Sequence, residues 1–490
     1  MRICFIAGNY IGYNSAQQLI KQREHKNMSV GKMTTAERQA VLSLSSIMGL
    51  RMIGLFMVLP VFTLYAQQLT GATPALIGLA MGIYGLSQAL FQIPFGTLSD
   101  RVGRKPIIMM GLLIFAGGSL LAGLAHSITW MIIGRALQGV GAVGSTILAL
   151  MADLTREETR TKSMAIAGMT IGFSFSVAML LGPILTKWMP VNGLFFLAAA
   201  FGLLAIFLLY AYVPTPLSVR WHRDTEPELN AFFKLLIAPD LVKLNTGIFI
   251  LHAIFTASFV VIPISLHHFA DMPANRQWVI YLPTLIAAFF IAIFCIGMAE
   301  RRQQLKPYFL GGIAALAIAE YLLWLAPANL ILTISGLSLF FAGFSLLEAF
   351  LPSLISRTAP AARKGTALGI YSCAQFLGIF IGGVLGGWLY GKFSFSGVYS
   401  FCILLALFWL VLTYRMQPPR YLTTQLLRLP PSPQQWENIT AKLRLIPGIV
   451  EMTLIAEDKM MYLKMERATI LYPDFIRLKE QLQSESCLGD

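Results

Sequence analysis

Long apolar stretches separated by short polar connections run along most of this chain. Each stretch holds the roughly 20 consecutive apolar residues that a helix needs to cross a bilayer core about 30 Å thick. The stretches are predicted to be helices because only helices and closed barrels satisfy the backbone hydrogen bonds inside lipid. The twelve predicted spans, numbered 1 to 12, cover residues 40–67, 74–98, 104–125, 128–153, 160–186, 193–213, 241–270, 277–299, 306–325, 328–352, 364–390 and 396–415.

This pattern predicts an all-α polytopic membrane protein with two pseudo-symmetric bundles of six helices. Residues 1–27 are interpreted either as a disordered tail or as a non-native extension ahead of a true start at Met28 or Met33, and the second interpretation is preferred. The predicted segments are a cytoplasmic tail at 1–39, an N-terminal bundle at 40–213, a cytoplasmic linker at 214–239, a C-terminal bundle at 240–416 and a small domain at 421–485.

Composition and charge agree with a membrane protein. The chain is 56% hydrophobic and only 12% charged, whereas soluble domains carry about 25% charged residues. Loops that follow even-numbered spans contain sixteen Lys and Arg residues, and the opposite loops contain three. By the positive-inside rule, both termini are expected in the cytoplasm. The net charge of +14 is therefore attributed to topology, and no nucleic-acid partner is expected.

The two halves of the chain repeat each other. FMVLPV at 56–61 matches FVVIPI at 259–264 with an offset of 203 positions. GTLSDRVGRKP at 96–106 matches GMAERRQQLKP at 297–307, where Gly and Lys-Pro are displaced by 201 positions. TREETRTKSMA after span 4 has a looser counterpart, SRTAPAARKGTA, after span 10. Three matches in one register predict a six-plus-six duplication, the plan of transporters that rock around a central site.

Three motifs resemble signatures of the major facilitator superfamily. GTLSDRVGRKP resembles the family's loop after the second span, and GRALQG at 134–139 resembles its fourth-span signature. AMLLGP at 178–183 resembles the antiporter signature through Ala178, Gly182 and Pro183. That signature normally ends in two further glycines, where this chain has Thr186 and Lys187, so the antiporter inference is weakened.

Further stretches are similar to YajR-type transporters of the drug:proton antiporter group. These are LRMIGLFMVLPV, GIYGLSQALFQIPFG, LEAFLPSLIS and the C-terminal extension, and the resemblance covers residues 33 to 485. It implies a multi-pass protein of the bacterial cytoplasmic (inner) membrane, with a cavity lined by spans 1, 4, 7 and 10. It also implies a small-molecule substrate and protons as partners, no cofactor and no enzymatic activity.

The charged loop after span 2 is interpreted as a conformational latch. Gly96 would let a neighbouring helix approach, and Asp100 would lie against the positive end of another helix such as span 11. Arg104 would reach Asp153 at the end of span 4. The alternative is that short cytoplasmic loops simply collect basic residues as topology signals, which accounts for Arg101 and Lys105.

Ionisable residues deep in spans are candidates for proton coupling, because charge is costly in lipid. They are Glu348 in span 10, His252 in span 7, Arg51 in span 1 and Arg135 in span 4. Glu348 would load and release protons, or alternatively form a static ion pair with Arg51 or Arg135. Arg135 would change the proton affinity of a nearby carboxylate or bind an acidic group of the substrate. Glu320 in span 9 is expected to be structural or to lie at the lipid interface.

Uncharged polar side chains form a second set of candidates. Tyr84, Gln88 and Gln92 share one face of span 2, and Gln138 and Gln375 lie in spans 4 and 11. They would line the substrate cavity or, alternatively, join helices by hydrogen bonds. The glycine-rich stretch at 379–391 is expected to permit close packing of span 11.

The C-terminal extension changes in composition after Pro419. Its pattern predicts the order βαββα, a ferredoxin-like domain. A regulatory or self-associating role is one interpretation, and a passive cap is the alternative. A PPSP sequence stands where metal carriers place Cys-x-x-Cys, and the five cysteines have no metal or disulfide spacing, so no metal is expected.

Three functions remain open at this point. The first is a proton-coupled antiporter that exports a small amphipathic compound by alternating access. The second is a uniporter or symporter of a metabolite, and the third is a membrane-anchored sensor that acts through its C-terminal domain. Enzymatic function finds no support, because no nucleophile–base set or cofactor motif occurs.

Overall fold

The computed structural model describes most of the chain, and the statements below refer to that part. The described residues are 33–215, 229–325, 328–360, 363–416, 422–430, 434–455, 460–466 and 475–477. The proposed start at Met28 and most of the last predicted helix lie outside them.

Helices cover the predicted spans. Span 1 begins five residues before the prediction, because Thr34 and Glu37 form a reciprocal capping box at its first turn. Spans 1 and 4 are each interrupted, span 1 immediately before Pro60. The helices are Thr35–Phe56 and Leu59–Ala66 (span 1), Pro74–Val102, Arg104–Gly123, Ile128–Val140 and Gly144–Asp153 (span 4), Glu157–Leu185, Val191–Tyr212, Leu229–Ile237 in the linker, Pro239–Phe269, Trp278–Arg301, Leu305–Leu325, Leu330–Thr358 and Lys364–Tyr414.

Spans 11 and 12 are joined without a loop. The helix assigned to Lys364–Tyr414 has 51 residues, and Ser394 inside it has a non-helical backbone with φ 55° and ψ −154°. Eleven helices of the described chain are therefore long and apolar enough to span a membrane, and the last of them contains two predicted spans. The break lies between the predicted spans 364–390 and 396–415, as expected, but it is confined to one residue.

The described helices divide into two compact units. The first contains spans 1 to 6, together with Met272–Trp278, and the second contains spans 7 to 12 and the C-terminal strands. In the first unit, span 1 packs on spans 5 and 6, span 2 on span 4, and span 3 on spans 4 and 6. In the second, span 7 packs on spans 10 to 12, and span 9 packs on span 10 and on the helix of spans 11 and 12.

Two lysines show the duplication at atomic detail. Lys105 Nζ donates to the carbonyl oxygen of Val213 at 2.5 Å, and Lys306 Nζ donates to that of Tyr414 at 2.9 Å. Both bonds join residues 108 positions apart. Each lysine belongs to the repeated Lys-Pro pair, and each binds a carbonyl at the C-terminal end of its bundle's last span, where a cation is favourable.

Glycines allow the closest helix contacts in the second unit, as the glycine-rich stretch predicts. A Cβ at Gly382 would overlap the carbonyl oxygen of Ala253, and one at Gly386 would lie 2.8 Å from the Cα of Ala257. The two glycines and the two alanines have the same four-residue spacing, so spans 11 and 7 meet along a seam of small residues.

The C-terminal region contains three strands and one helix in the order βαββ. The strands are β1 (Leu422–Arg428), β2 (Ile449–Ile455) and β3 (Met460–Glu466), with helix Gln434–Arg444 between β1 and β2. They form an antiparallel sheet in the order β1-β3-β2. Alternate residues of β3 are buried in a core that includes Leu443 of the helix. The turn at 457–459 lies outside the described residues.

Candidate functional site

The charged loop after span 2 ties three helix ends together through Arg104. Its Nη1 lies 2.5 Å from Asp100 Oδ1 and donates to Ser99 Oγ at 2.7 Å, both in the last turn of span 2. Its Nε donates to Asp153 Oδ2 at 3.1 Å, at the end of span 4. Arg104 itself is the first residue of span 3, and Gly103 before it has a positive φ of 106°, which favours glycine. We call Asp100, Arg104 and Asp153 the loop cluster.

The other residues of this loop have different surroundings. Lys105 binds the end of span 6, as described above, and Arg101 is exposed. Within its own unit, a Cβ at Gly96 would meet nothing closer than Ser145 Oγ at 3.9 Å. The close helix approach expected at Gly96 is therefore not found in the N-terminal unit; it occurs at Gly139, where a Cβ would overlap the carbonyl oxygen of Tyr84.

A second contact between helix ends of this unit was not predicted from the sequence. The buried carboxylate of Glu37 accepts hydrogen bonds from the backbone N–H of Thr34 and Arg156, from the Arg156 guanidinium and from Thr159 Oγ1. The Arg156 Nε to Glu37 Oε1 distance is 3.0 Å. This contact, the Glu37 clamp, fixes the start of span 1 to the start of span 5.

Arg51 is enclosed in the N-terminal bundle, with 1% of its surface exposed. Its Nη2 donates to Gln88 Oε1 at 2.9 Å, and its guanidinium carbon lies 5.8 Å from the centre of the Phe115 ring. Its Nε and Nη1 have no hydrogen-bond partner among the described residues. A buried guanidinium with unused donors can bind an anionic group.

Arg135 has more partners. Its Nη1 donates to Gln138 Oε1 at 2.8 Å, and Gln138 Nε2 donates to Ser119 Oγ at 2.8 Å. The guanidinium carbon lies 4.5 Å from the centre of the Tyr84 ring, a distance typical of a cation–π contact. Within the described N-terminal unit, no carboxylate pairs with Arg51 or Arg135; glutamine and aromatic side chains surround both.

The glutamines expected to line a cavity therefore have a bonding role in this unit. Gln88 binds Arg51 of span 1, and Gln138 binds Ser119 of span 3, so both join helices, which is the alternative function considered above. Gln92 is also buried, and its Oε1 has no described partner.

The antiporter-signature residues pack span 5 onto span 1. A Cβ at Gly182 would overlap the carbonyl oxygen of Met57, immediately before the break in span 1. Ala178 is fully buried one turn earlier, and Pro183 lies inside the span 5 helix. These residues shape a helix contact and bring no ionisable group.

His252, Glu348 and Gln375 meet in the C-terminal bundle, and we call them the acid cluster. Gln375 Nε2 donates to Glu348 Oε1 at 3.2 Å and lies 2.9 Å from His252 Nε2. His252 Nδ1 lies 3.3 Å from the carbonyl oxygen of Ile248, which can only accept. These contacts fit a neutral ring with its proton on Nδ1 and with Nε2 accepting from Gln375.

The two ionisable members of the acid cluster differ in access. His252 is 6% exposed, and its ring lies edge-on to Phe344 at 5.6 Å. The Glu348 side chain is 35% exposed, and its Oε2 lies 3.9 Å from His252 Nε2. The sequence placed both residues on cavity-lining spans, but it did not predict that Gln375 joins them.

Glu320 lies elsewhere in the C-terminal bundle. It is fully buried between helices, and Ser258 Oγ of span 7 lies 2.5 Å from its Oε1. The expectation of a lipid-interface position is therefore wrong. Span 9 is apolar around its whole circumference, so its sequence does not reveal which face is buried.

No group of three or more His, Cys, Asp or Glu side chains that could hold a metal occurs in the described part of the chain.

Comparison with known proteins gives consistent matches. The profile of the family described as Major Facilitator Superfamily matches residues 44–382 and 247–443. The inner membrane transport protein YajR of Escherichia coli K12 is 43% identical over 435 residues, which are 89% of this chain and 96% of YajR.

More distant proteins agree with this match. The quinolone resistance protein NorA of Staphylococcus aureus MSSA476 is 26% identical over 69% of this chain and 86% of NorA. The crystal structure of a bacterial homologue of the human lysosomal transporter Spinster, in an inward-facing and occupied conformation, has a TM-score of 0.63. It is 16% identical in sequence and covers 78% of this chain and 96% of that structure, so it supports the fold alone.

Proposed function

The chain belongs to the major facilitator superfamily and is a membrane transporter rather than an enzyme, and from that premise we propose that it is a proton-coupled efflux antiporter. Its substrate would be a small amphipathic compound, moved by alternating access of the two bundles. The acid cluster is the observation that carries this proposal, because it combines a partly exposed carboxylate with a bound imidazole inside the membrane-spanning region. The distant relative named for quinolone resistance supports drug-like substrates.

Glu348 is the proton carrier of the acid cluster. Its Oε2 has no hydrogen-bond partner among the described residues, so a proton binds there without displacing any existing bond. A proton on His252 Nε2 would instead displace the Gln375 N–H that now occupies that nitrogen. Because His252 is also less exposed than Glu348, it acts as a positioning residue that holds Gln375 against the carboxylate.

Arg51 is the candidate for binding an acidic group of the substrate. Its Nε and Nη1 nitrogens have no partner among the described residues, whereas Arg135 is bonded to Gln138 and stacked on Tyr84. Arg135 would then keep span 4 in place beside span 2.

The loop cluster would stabilise one of the two transport states. Arg104 holds the cytoplasmic ends of spans 2, 3 and 4 within one unit, and Asp100 is one of its three partners. The proposed contact of Asp100 with the start of span 11 would be made only when the cytoplasmic side is closed. Asp100→Asn should then shift the protein towards the inward-open state, measured by crosslinking of cysteines introduced in spans 2 and 11.

Transport in proteoliposomes with an imposed pH gradient tests the proton coupling. A fluorescent quinolone and a panel of amphipathic dyes serve as substrates. The parent protein should accumulate substrate against its gradient, and Glu348→Gln should lose this accumulation while it still exchanges labelled for unlabelled substrate. Glu300→Gln, the same change at an exposed residue in the last turn of span 8, is the matched control. Gradient-driven accumulation by Glu348→Gln equal to that of the parent would disprove the proton-carrier role and favour a uniporter.

The C-terminal region is proposed to be a ferredoxin-like cytoplasmic domain with a regulatory or self-associating role. The order βαββ and the shared core of the sheet and its helix support this. Deletion of residues 421–490 should leave flux intact but change its regulation or the oligomeric state. Loss of a signalling output with unchanged flux would instead favour the sensor hypothesis.

The cellular location is proposed from the same relatives. The similarity to an inner membrane protein supports the bacterial inner membrane, and the excess of basic residues in the even-numbered loops supports cytoplasmic termini. A reporter that works only in the cytoplasm should be active when it is fused after residue 490.

A further inference from the structure

Glu320 is a second carboxyl group of the C-terminal bundle, and the proposed transport mechanism does not use it. Its exposed fraction is 0%. One oxygen, Oε1, lies 2.5 Å from Ser258 Oγ, and the other, Oε2, has no hydrogen-bond partner among the described residues. No Lys, Arg or His of the described chain forms an ion pair with it. His252, on the same span as Ser258, lies beside Glu348, with 3.9 Å between its Nε2 and Glu348 Oε2.

The groups around Glu320 carry no positive charge. Span 7 contributes Ser258 and the carbonyl oxygen of Ile254, and span 12 contributes Cys402 and Tyr399. The titratable neighbours are thus a thiol and a phenol, both buried, and neither can become a cation. An ionised Glu320 would be a buried anion without a counter-ion, which is the least favourable state of a carboxyl group inside a protein.

The hydrogen bonds of Ser258 also favour a protonated Glu320. Its hydroxyl has one proton but two oxygens within reach, the carbonyl oxygen of Ile254 at 2.7 Å and Glu320 Oε1 at 2.5 Å. If Glu320 carries a proton, Ser258 donates to Ile254 and accepts the O–H of Glu320. If Glu320 is ionised, Ser258 donates to the carboxylate, and the Ile254 oxygen keeps only its bond within the helix Pro239–Phe269 and the Cys402 thiol at 3.9 Å, a long contact for a weak donor.

We propose that Glu320 is a resident proton-binding site, a neutral carboxylic acid held by spans 7, 9 and 12. This site is distinct from the acid cluster and keeps its proton while Glu348 exchanges one with the solution. In the neutral acid, the atom without a described partner is Oε2, which is then the carbonyl oxygen of the acid. In the anion, the same Oε2 would carry about half of the negative charge and would still have no described partner.

The proposal has a consequence for stability against pH. The acid form belongs to the folded bundle, and an unfolded chain exposes the same carboxyl to water, where it ionises at neutral pH. The stabilising contribution is therefore present at lower pH and is lost as the pH rises. Loss of the resident proton would separate spans 7, 9 and 12 at alkaline pH.

Infrared difference spectroscopy of the purified full-length protein tests the protonation state. The spectrum of the parent minus that of Glu320→Gln at neutral pH should contain the carbonyl band of a protonated carboxylic acid. Parent minus Glu300→Gln, where the acid is exposed, should contain carboxylate bands instead. Carboxylate bands in the Glu320 difference spectrum would overturn the proposal.

One further measurement covers the case in which Glu320→Gln folds poorly, and another applies when it folds. In Ser258→Ala the acid loses its acceptor, so its carbonyl band should move to higher frequency; an unchanged band would count against the proposed bond. If the Gln variant folds, its melting temperature in detergent should fall less steeply than that of the parent between neutral and alkaline pH. Parallel curves for the two proteins would contradict a resident proton.

Discussion

The guanidinium and carboxyl groups deep in the described membrane spans are divided between the two bundles. Those described in the N-terminal bundle are Arg51 and Arg135, which bind glutamine and aromatic side chains. Those in the C-terminal bundle are Glu320 and Glu348, which bind serine, glutamine and histidine. The packing of spans 1 and 3 on their neighbours repeats in spans 7 and 9, and so do the two lysine contacts, but the charges do not repeat. The two halves therefore share these helix contacts as a result of the duplication. They differ in the ionisable side chains that stand at other positions.

The loop cluster shows the same divergence. At an offset of 201 positions, Arg104 corresponds to Leu305 and Asp153 to Leu354. Both leucines are buried and line one small apolar pocket together with Phe350. An ion pair that water can screen and separate holds one half, and an apolar contact holds the other. The first is easier to break during a transport cycle, because exposed ion pairs are worth little.

The largest expected difference between the halves concerns the Glu37 clamp. At the offset of 203, Glu37 corresponds to Asp240, whose side chain is 70% exposed and lies 3.6 Å from Lys243. Glu37→Gln should lower the free energy of unfolding by about 2–3 kcal/mol, because several charge-assisted hydrogen bonds are lost. Asp240→Asn should change it by less than about 0.5 kcal/mol. Thermal unfolding in detergent measures both, and equal effects would show that the clamp is not specific to the N-terminal half.

The glycine contacts should instead behave alike in both halves. Gly182→Ala in span 5 and Gly382→Ala in span 11 should each destabilise by about 1–3 kcal/mol, because the new Cβ overlaps a backbone oxygen of the facing helix. Gly369→Ala, in the same helix as Gly382 but with no neighbour within 4 Å, is the control and should be neutral or slightly stabilising. If only one of the two alanine variants is less stable than the parent, the two bundles differ in how well they accommodate the added Cβ.

Replacing the ion pair by the leucines of the other half is a more moderate test. Arg104→Leu should destabilise by about 1–2 kcal/mol, since Asp100, Asp153 and Ser99 lose their shared partner. Adding Asp153→Leu should recover part of that loss, as a new apolar contact replaces a lone charge. A double-mutant cycle on melting temperature measures the coupling, and purely additive losses would show that the two positions do not interact.

The smallest expected effects belong to the repeated lysines. Lys105→Met and Lys306→Met should each destabilise by about 0.5–1 kcal/mol, because a carbonyl at the end of a helix loses its cationic donor. Lys392→Met, at an exposed position, is the matched control and should have no effect. Unequal losses at the two lysines would contradict the structural equivalence of the two contacts.

The sequence predicted the features that depend on regular patterns. Span positions followed from apolar length, and the duplication followed from motifs at a constant offset. The proximity of Arg104 and Asp153 was also predicted, because both stand at helix ends on the same membrane side. The repeated Pro60 and Pro263 show the limit of such patterns: span 1 breaks before its proline, whereas span 7 continues as a helix through Pro263.

Features that depend on helix orientation were not predicted. Thr34 and Glu37 have the spacing of a capping box, which signals a helix start, but nothing in the sequence indicates Arg156 as a partner 119 positions away. The partners of Arg51 and the depth of Glu320 were missed for a related reason. Most neighbours in these spans are apolar, so composition does not distinguish an inward face from a lipid-facing one.

The lysine contacts also bear on biosynthesis. Val213, whose carbonyl binds Lys105, is the last residue that the first half needs for this contact, so that half can close as soon as the segment leaves the ribosome. The second half closes in the same way at Tyr414. Each half thus forms this contact from its own residues alone, so the first half can fold before the second has been synthesised.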